Sequence, residues 1–208
     1  MRIDWYFDFV SPFAYLQWPR LRALAAVHEV VPRPILLAAV LDRIGQKGPA
    51  EIPAKRTFTY RFVQFRAAEL GRPLRFPPAH PFNPLAALRL CLAAGVTPES
   101  VTAIFDWIWA EGRAGDSIEA LAPLAARLGI DEPAAAIAAP SVKQSLREHG
   151  DAALAAGVFG VPTAVAGGEP FWGLDASPML EAFLADPDLF RKGDYPRLAA
   201  LPVGASRT

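Results

Sequence analysis

The sequence predicts an α/β fold, in which a βαβ opening and a ββα close form one domain interrupted by an all-α insertion. Three observations carry this reading. Strand-like patterns rich in β-formers fall near the two ends of the chain. The stretch from about residue 45 to 150 is nearly all helical in its periodicity. The length, 208 residues with 52% hydrophobic, suffices for one sizeable core. The expected division is a discontinuous domain of residues 1–44 plus 151–208, with 45–150 inserted.

In chain order, Ile3 to Val10 alternates apolar residues with Asp4 and Asp8 and reads as a strand. Ser11-Pro12 then supplies an N-cap serine and a first-turn proline, so a helix is expected over Phe13 to His28. Val30 to Leu37 reads as a second strand, an edge or irregular one because of Pro32 and Pro34. Gly45–Pro53 and Phe76–Pro84 are rich in proline, the first also in glycine, and read as loops around a helix from Ala54 to Leu70, which Gly71 and Pro73 stop. Further helices are expected over Leu85–Ala94, Pro98–Ala110, Ile118–Leu128, Pro133–Ala139 and Ser141–Ala156. The close is a strand at Ala164–Ala166, a Gly167-Gly168 turn, a short strand at Pro170–Trp172 and a helix over Pro178–Leu184. The tail after Asp186 carries proline, glycine and charge and reads as loosely packed or partner-contacting.

The charge balance is neutral, 21 basic against 21 acidic residues, which gives no footprint for nucleic acid or an anionic membrane. The three histidines are scattered and Cys91 is the single cysteine, so neither a metal site nor an intrachain disulfide is expected. The N-terminus does not read as a signal peptide, and no apolar run is long enough to span a bilayer. A cytoplasmic protein is the expectation. Cys91 lies in an apolar helix and reads as a small core residue. Trp5, Trp18, Trp107 and Trp109 read as packing, and His28 and His149 as charges near helix ends.

Ser11 is the first residue with chemical promise. A hydroxyl at a strand-to-helix junction sits in the field of a helix N-terminus, the place that lowers a cysteine's pKa in thiol-redox proteins. Serine there cannot exchange disulfides, but it can donate a hydrogen bond to a ligand's thiolate. On local sequence alone the plain N-cap is the simpler reading. The second motif is Gly160-Val161-Pro162-Thr163, ahead of a strand. A cis bond there would turn the Val161 N–H and C=O outward to pair with an extended peptide; a trans proline opening an edge strand is the alternative.

Taken in order, Tyr6-Phe7-Asp8-Phe9-Val10-Ser11-Pro12-Phe13-Ala14-Tyr15-Leu16 resembles the opening of the 2-hydroxychromene-2-carboxylate isomerase family. That family groups with the DsbA-like proteins and kappa-class glutathione transferases. Gly160–Thr163 resembles the group's cis-proline segment, and Trp172-Gly173-Leu174-Asp175 its glutathione-binding turn. The resemblance covers essentially the whole chain. It implies a thioredoxin-like fold, glutathione as cofactor, a homodimer and a small aromatic carboxylate as substrate.

Carried over to this sequence, the resemblance has Ser11 hold the glutathione sulfur as thiolate. Val161 and Pro162 pair with the tripeptide backbone, and Trp172, Gly173, Leu174 and Asp175 grip its γ-glutamyl end. Without the resemblance, Asp175 reads as a helix N-cap. Gln46 stands where relatives often carry asparagine, and Lys55 falls near a lysine used toward a glutathione carboxylate; a solvated helix face is the alternative for Lys55. Arg43, Glu51 and His80 fall at substrate-contact positions, with Glu51 in place of asparagine and His80 in place of tyrosine; a surface charge is the alternative for Arg43, and a loop residue in a proline-rich turn for His80. Rival readings are a kappa-like transferase or peroxidase and a non-catalytic thiol- or peptide-binding protein. A disulfide oxidoreductase is disfavoured because Ser11 leaves no redox pair.

Overall fold

The computed structural model describes residues 1–198 and 200–205. Strand β1 (Arg2–Phe7) leads into helix α1 (Pro12–Leu24), followed by β2 (Glu29–Pro34) and α2 (Leu37–Arg43). The insertion holds α3 (Pro53–Glu69), α4 (Leu85–Ala93), α5 (Pro98–Phe105), α6 (Ile118–Arg127), α7 (Pro133–Ala138) and α8 (Pro140–Ala155). Strands β3 (Thr163–Ala166) and β4 (Glu169–Trp172) and helices α9 (Ser177–Ala185) and α10 (Tyr195–Leu198) close the chain. The sheet order is β2-β1-β3-β4, with β1 parallel to β2 and antiparallel to β3. This is the thioredoxin-like arrangement expected from the sequence, with the helical segment inserted after α2.

Alternation in β1 places Ile3, Trp5 and Phe7 on one face, where with Phe9 they are wholly buried. Trp5 stacks on Phe7 at 4.5 Å and on Trp18 of α1 at 4.9 Å, and Phe9 meets Phe105 of α5 at 4.7 Å. One core therefore draws on the sheet, α1 and the insertion together. The opposite face carries Tyr6, which packs with Ile35, Val40 and Val158. No described helix is long and apolar enough to cross a membrane.

Several sequence expectations shift. The second strand stops at Pro34 instead of Leu37, and Leu37 opens α2, a helix the sequence did not announce. The cause is remote: the Leu37 amide donates to Oδ2 of Asp8 at 2.8 Å, so the missing local cap is supplied from the end of β1. The first strand ends at Phe7, because Oδ1 of Asp8 takes the Val10 amide and the Ser11 amide closes a turn onto the Asp8 carbonyl at 3.0 Å. The loop before α3 contains a 3₁₀ turn, Pro49–Glu51. The helix expected to run from Pro98 to Ala110 is α-helical to Phe105 and then passes into a π turn, Asp106–Ala110. That wider turn lets Trp107, Ile108 and Trp109 all face inward.

His149 lies inside α8 and its Nδ1 faces the Pro34 carbonyl at 3.1 Å; burial lowers its pKa, so it is no helix-end charge. The tail packs back in part. Phe190 rests on Phe171 and Phe183 with ring centroids 5.9 and 5.4 Å away. Residue 199 and residues 206–208 lie outside the described residues.

Candidate functional site

Ser11 caps α1. Its Oγ accepts the Ala14 amide at 3.3 Å, and the residue is 7% exposed. The acceptor side of the hydroxyl is thus occupied by the helix, while its proton stays available to an acceptor in front of the N-terminus. The start of β3 is aligned with the end of β1, since Thr163 pairs with Tyr6. The Val161–Pro162 peptide bond is cis. Neither the amide nor the carbonyl of Val161 has a hydrogen-bond partner among the described residues.

The Trp172–Asp175 turn is tied into the same place. Thr163 pairs with Trp172, the Gly173 amide donates to the Pro162 carbonyl at 2.8 Å, and Gly173 sits at φ +89°, where glycine is favoured. The indole of Trp172 lies against Gly160, where an added Cβ would fall 2.6 Å from Nε1. Asp175 makes no cap for α9. It faces Arg66 of α3 instead, with Nη2 3.6 Å from its carboxylate, across a cleft of about 220 Å³ that also holds Arg72 and Leu174.

His80 meets this site from the insertion. Its Nε2 lies 2.8 Å from the Val10 carbonyl, one residue before Ser11, and its Nδ1 lies 2.7 Å from the Tyr60 hydroxyl. Burial lowers its pKa, against the pull of the Val10 carbonyl. A neutral ring that donates from Nε2 leaves Nδ1 as acceptor, and the Tyr60 proton must then choose between Nδ1 and the His80 carbonyl 2.6 Å away. Trp109 makes the neighbouring contact: its indole Nε1–H donates to the Phe9 carbonyl at 2.8 Å. Replacing Trp109 with phenylalanine should leave that buried carbonyl unpaired and cost about 1–3 kcal/mol, read as a lower urea midpoint at unchanged slope. A loss under about 0.5 kcal/mol would show that the bond carries no weight.

The remaining expected residues sit further out. Arg43 is exposed at the end of α2, and Gln46 and Lys55 are exposed with no side-chain partner among the described residues. Oε1 of Glu51 takes the Gly48 amide at 2.6 Å, closing the 3₁₀ turn. Cys91 is wholly buried, and burial pushes its thiol up to about 12, which makes it a core residue. The structure therefore ties Val161-Pro162, Trp172 and Gly173 together at the start of β3 and the end of β4, links α1, which Ser11 caps, to the Gly173 carbonyl through Gln17, and joins His80 to Val10, the residue before Ser11. It does not tie the side chains of Arg43, Gln46, Glu51 or Lys55 to that group.

Comparison with known proteins decides the family. The DSBA-like thioredoxin domain model matches residues 2–185. The chain is 34% identical to 2-hydroxychromene-2-carboxylate isomerase of Pseudomonas putida over 189 residues, covering 88% of this chain and 93% of that protein. The chain belongs to the 2-hydroxychromene-2-carboxylate isomerase family. A relative of the same name from Sphingobium xenophagum is 30% identical over 191 residues, 88% of this chain and 98% of its own. A solved structure of a 2-hydroxychromene-2-carboxylate isomerase matches at TM-score 0.78 and 28% identity, covering 98% of this chain and all of that one.

Within this isomerase-family chain, three residues at the site escaped the sequence reading. Gln17 of α1 is buried and links Trp5 Nε1 (2.8 Å), the Gly173 carbonyl (3.1 Å) and Ser177 Oγ (3.0 Å), which fixes α1 against the Trp172–Asp175 turn. A polar residue on the apolar face of α1 was its one signal. Arg66 follows Lys55 by eleven residues, three helical turns, and so falls on the same face of α3; that spacing was visible. Asp8 was read only as one of two charges alternating with apolar residues in the first strand, and nothing local marks it as buried.

Proposed function

We propose that the protein is a glutathione-dependent isomerase acting on 2-hydroxychromene-2-carboxylate or a related 2-oxo acid of aromatic catabolism. The observation that carries this is the Ser11 hydroxyl at the N-terminus of α1, its acceptor side taken by the Ala14 amide and its proton given to no described residue, in a chain whose Val161 backbone is likewise unpaired among the described residues. Family membership supports the isomerase half of the reading.

The residues present fit glutathione. The Ser11 O–H donates toward the sulfur, and the N-terminus of α1 favours a negative charge there. Val161 offers one N–H and one C=O to an extended tripeptide, in the manner of an added strand. Pro162, Trp172, Gly173 and Leu174 shape the wall beside it, and Asp175 with Arg66 presents opposite charges for the γ-glutamyl ammonium and carboxylate. Gln46, in the loop after α2, and Lys55, in the first turn of α3, are assigned to the other carboxylate, and Arg43 to the substrate's. Bound glutathione supplies a nucleophilic thiolate that adds to an electrophilic carbon and departs unconsumed. His80, with both ring nitrogens engaged, positions the Ser11 turn through Val10. Glu51, engaged with Gly48, shapes the loop.

Turnover of the chromene acid with and without glutathione tests the reading. Activity should need catalytic amounts of glutathione, all recovered as free thiol. Undiminished turnover in its absence would overturn the proposal, and conjugates accumulating in mass spectra would favour a transferase. The reduced thiol pool this chemistry draws on is cytosolic, which is where we place the protein. Phe58 and Phe65, seven residues apart on one face of α3, are 68% and 59% exposed, and we assign this face to a second copy; light scattering at monomer mass would exclude the homodimer.

A further inference from the structure

A second cleft, of about 390 Å³, opens between α2, α4 and α8. It lies within the roughly 300–1,000 Å³ range of small-molecule sites. Its walls carry four cations, Arg43, Arg89, Lys143 and Arg147, against one carboxylate, Asp151. Among the described residues none of the four lies within 4.0 Å of a carboxylate, although ion pairs are common elsewhere on the surface. The contact of Arg147 is neutral, with Gln144 Oε1 at 2.6 Å. Arg89 is the telling residue. It interrupts the apolar helix α4, and its Nε is buried without a hydrogen-bond partner among the described residues. A buried guanidinium nitrogen left unpaired is costly, and a charge-assisted acceptor would offset that cost.

The rest of the wall is apolar: Leu36, Val40, Leu85, Leu146 and Leu154. Such a wall has nothing to offer inorganic phosphate, but it suits a ring-sized hydrocarbon body. Of the residues expected at the Ser11 site, only Arg43 borders this cleft.

We propose that the α2–α4–α8 cleft is a binding site for an amphipathic organic anion, a carboxylate on a body one or two rings in size. The carboxylate meets Arg89, with Lys143 and Arg147 beside it, while the ring lies on the leucine wall. This assignment does not depend on the reading of Ser11.

The test is calorimetric titration of the full chain with 2-naphthoate, without glutathione and at fixed ionic strength. Saturable binding is expected, with at least about tenfold weaker binding for Arg89→Met and for Lys143→Met, the latter on the cleft edge where folding is less at risk. Naphthalene-2-methanol, the uncharged analogue, and inorganic phosphate should each bind at least about tenfold more weakly than 2-naphthoate. Ser11→Ala should bind 2-naphthoate as the parent does. The proposal is overturned if 2-naphthoate fails to saturate by millimolar concentration or if both cation variants bind it unchanged. It is equally overturned if phosphate binds as well, or if Ser11→Ala abolishes binding and so moves the ligand to the other site.

Discussion

Ser11→Ala is expected to lower turnover at neutral pH by about 10- to 100-fold while leaving the fold intact. A hydrogen bond to a charged acceptor contributes about 1.5–3 kcal/mol, which corresponds to roughly one to two units in the pKa of the thiol it stabilises. The loss should therefore be a loss of thiolate. The pH–rate profile of the variant should move to higher pH, and its deficit should shrink above about pH 9, where an ordinary thiol ionises unaided. Removing the cap also costs about 1 kcal/mol of stability, so thermal midpoints must be compared in parallel. Ser11→Thr keeps both the hydroxyl and the cap and should restore most of the activity. An alanine variant with an unshifted profile would refute the role given to Ser11.

The second large effect concerns Asp8 and is thermodynamic. Burial pushes its carboxyl up to about 7 from 3.8, against the Leu37 and Val10 amides that favour the ionised form. Because the folded pKa is raised, the folded protein holds a proton that the unfolded chain has already released between those two values. Its stabilising contribution is complete below about pH 4 and is lost as pH rises through 7, a change of about 4 kcal/mol. Asp8→Asn cannot titrate. It will lose stability at every pH, since its NH₂ must face one of the two amides, so the slope is the readout and not the level. Urea midpoints from pH 4 to 8 should fall more steeply for the parent than for the variant. Parallel curves would show that Asp8 is ionised throughout the range.

Much of the fold was legible because its signals are local. Ser11-Pro12 starts α1 by the chemistry of those two residues, and apolar periodicity placed α3, α4, α6, α7 and α8 within a residue of their bounds, while α5 stops five residues before its expected end. Helix α2 was not legible, because its first amide is satisfied from Asp8, 29 residues earlier. The π turn at Asp106–Ala110 follows from three consecutive apolar residues all finding the core, which no single period describes. At the site, Ser11, Val161 and the Trp172–Asp175 turn lie at the ends of regular elements, where sequence speaks clearly. His80 and Arg66 act across gaps of 70 and 109 residues, to Val10 and Asp175, and only tertiary structure brings those partners together.

The carbonyls of Phe9 and Val10 have a consequence for how such proteins can be rebuilt. Both belong to the turn that presents Ser11, yet their partners, Trp109 and His80, come from the inserted helices. The insertion is thus no interchangeable cassette. A chimera that exchanges residues 45–150 for the helical segment of a distant relative will misplace the Ser11 turn unless the graft brings its own donors to those two oxygens. In a lineage, the turn and the helices facing it must change together.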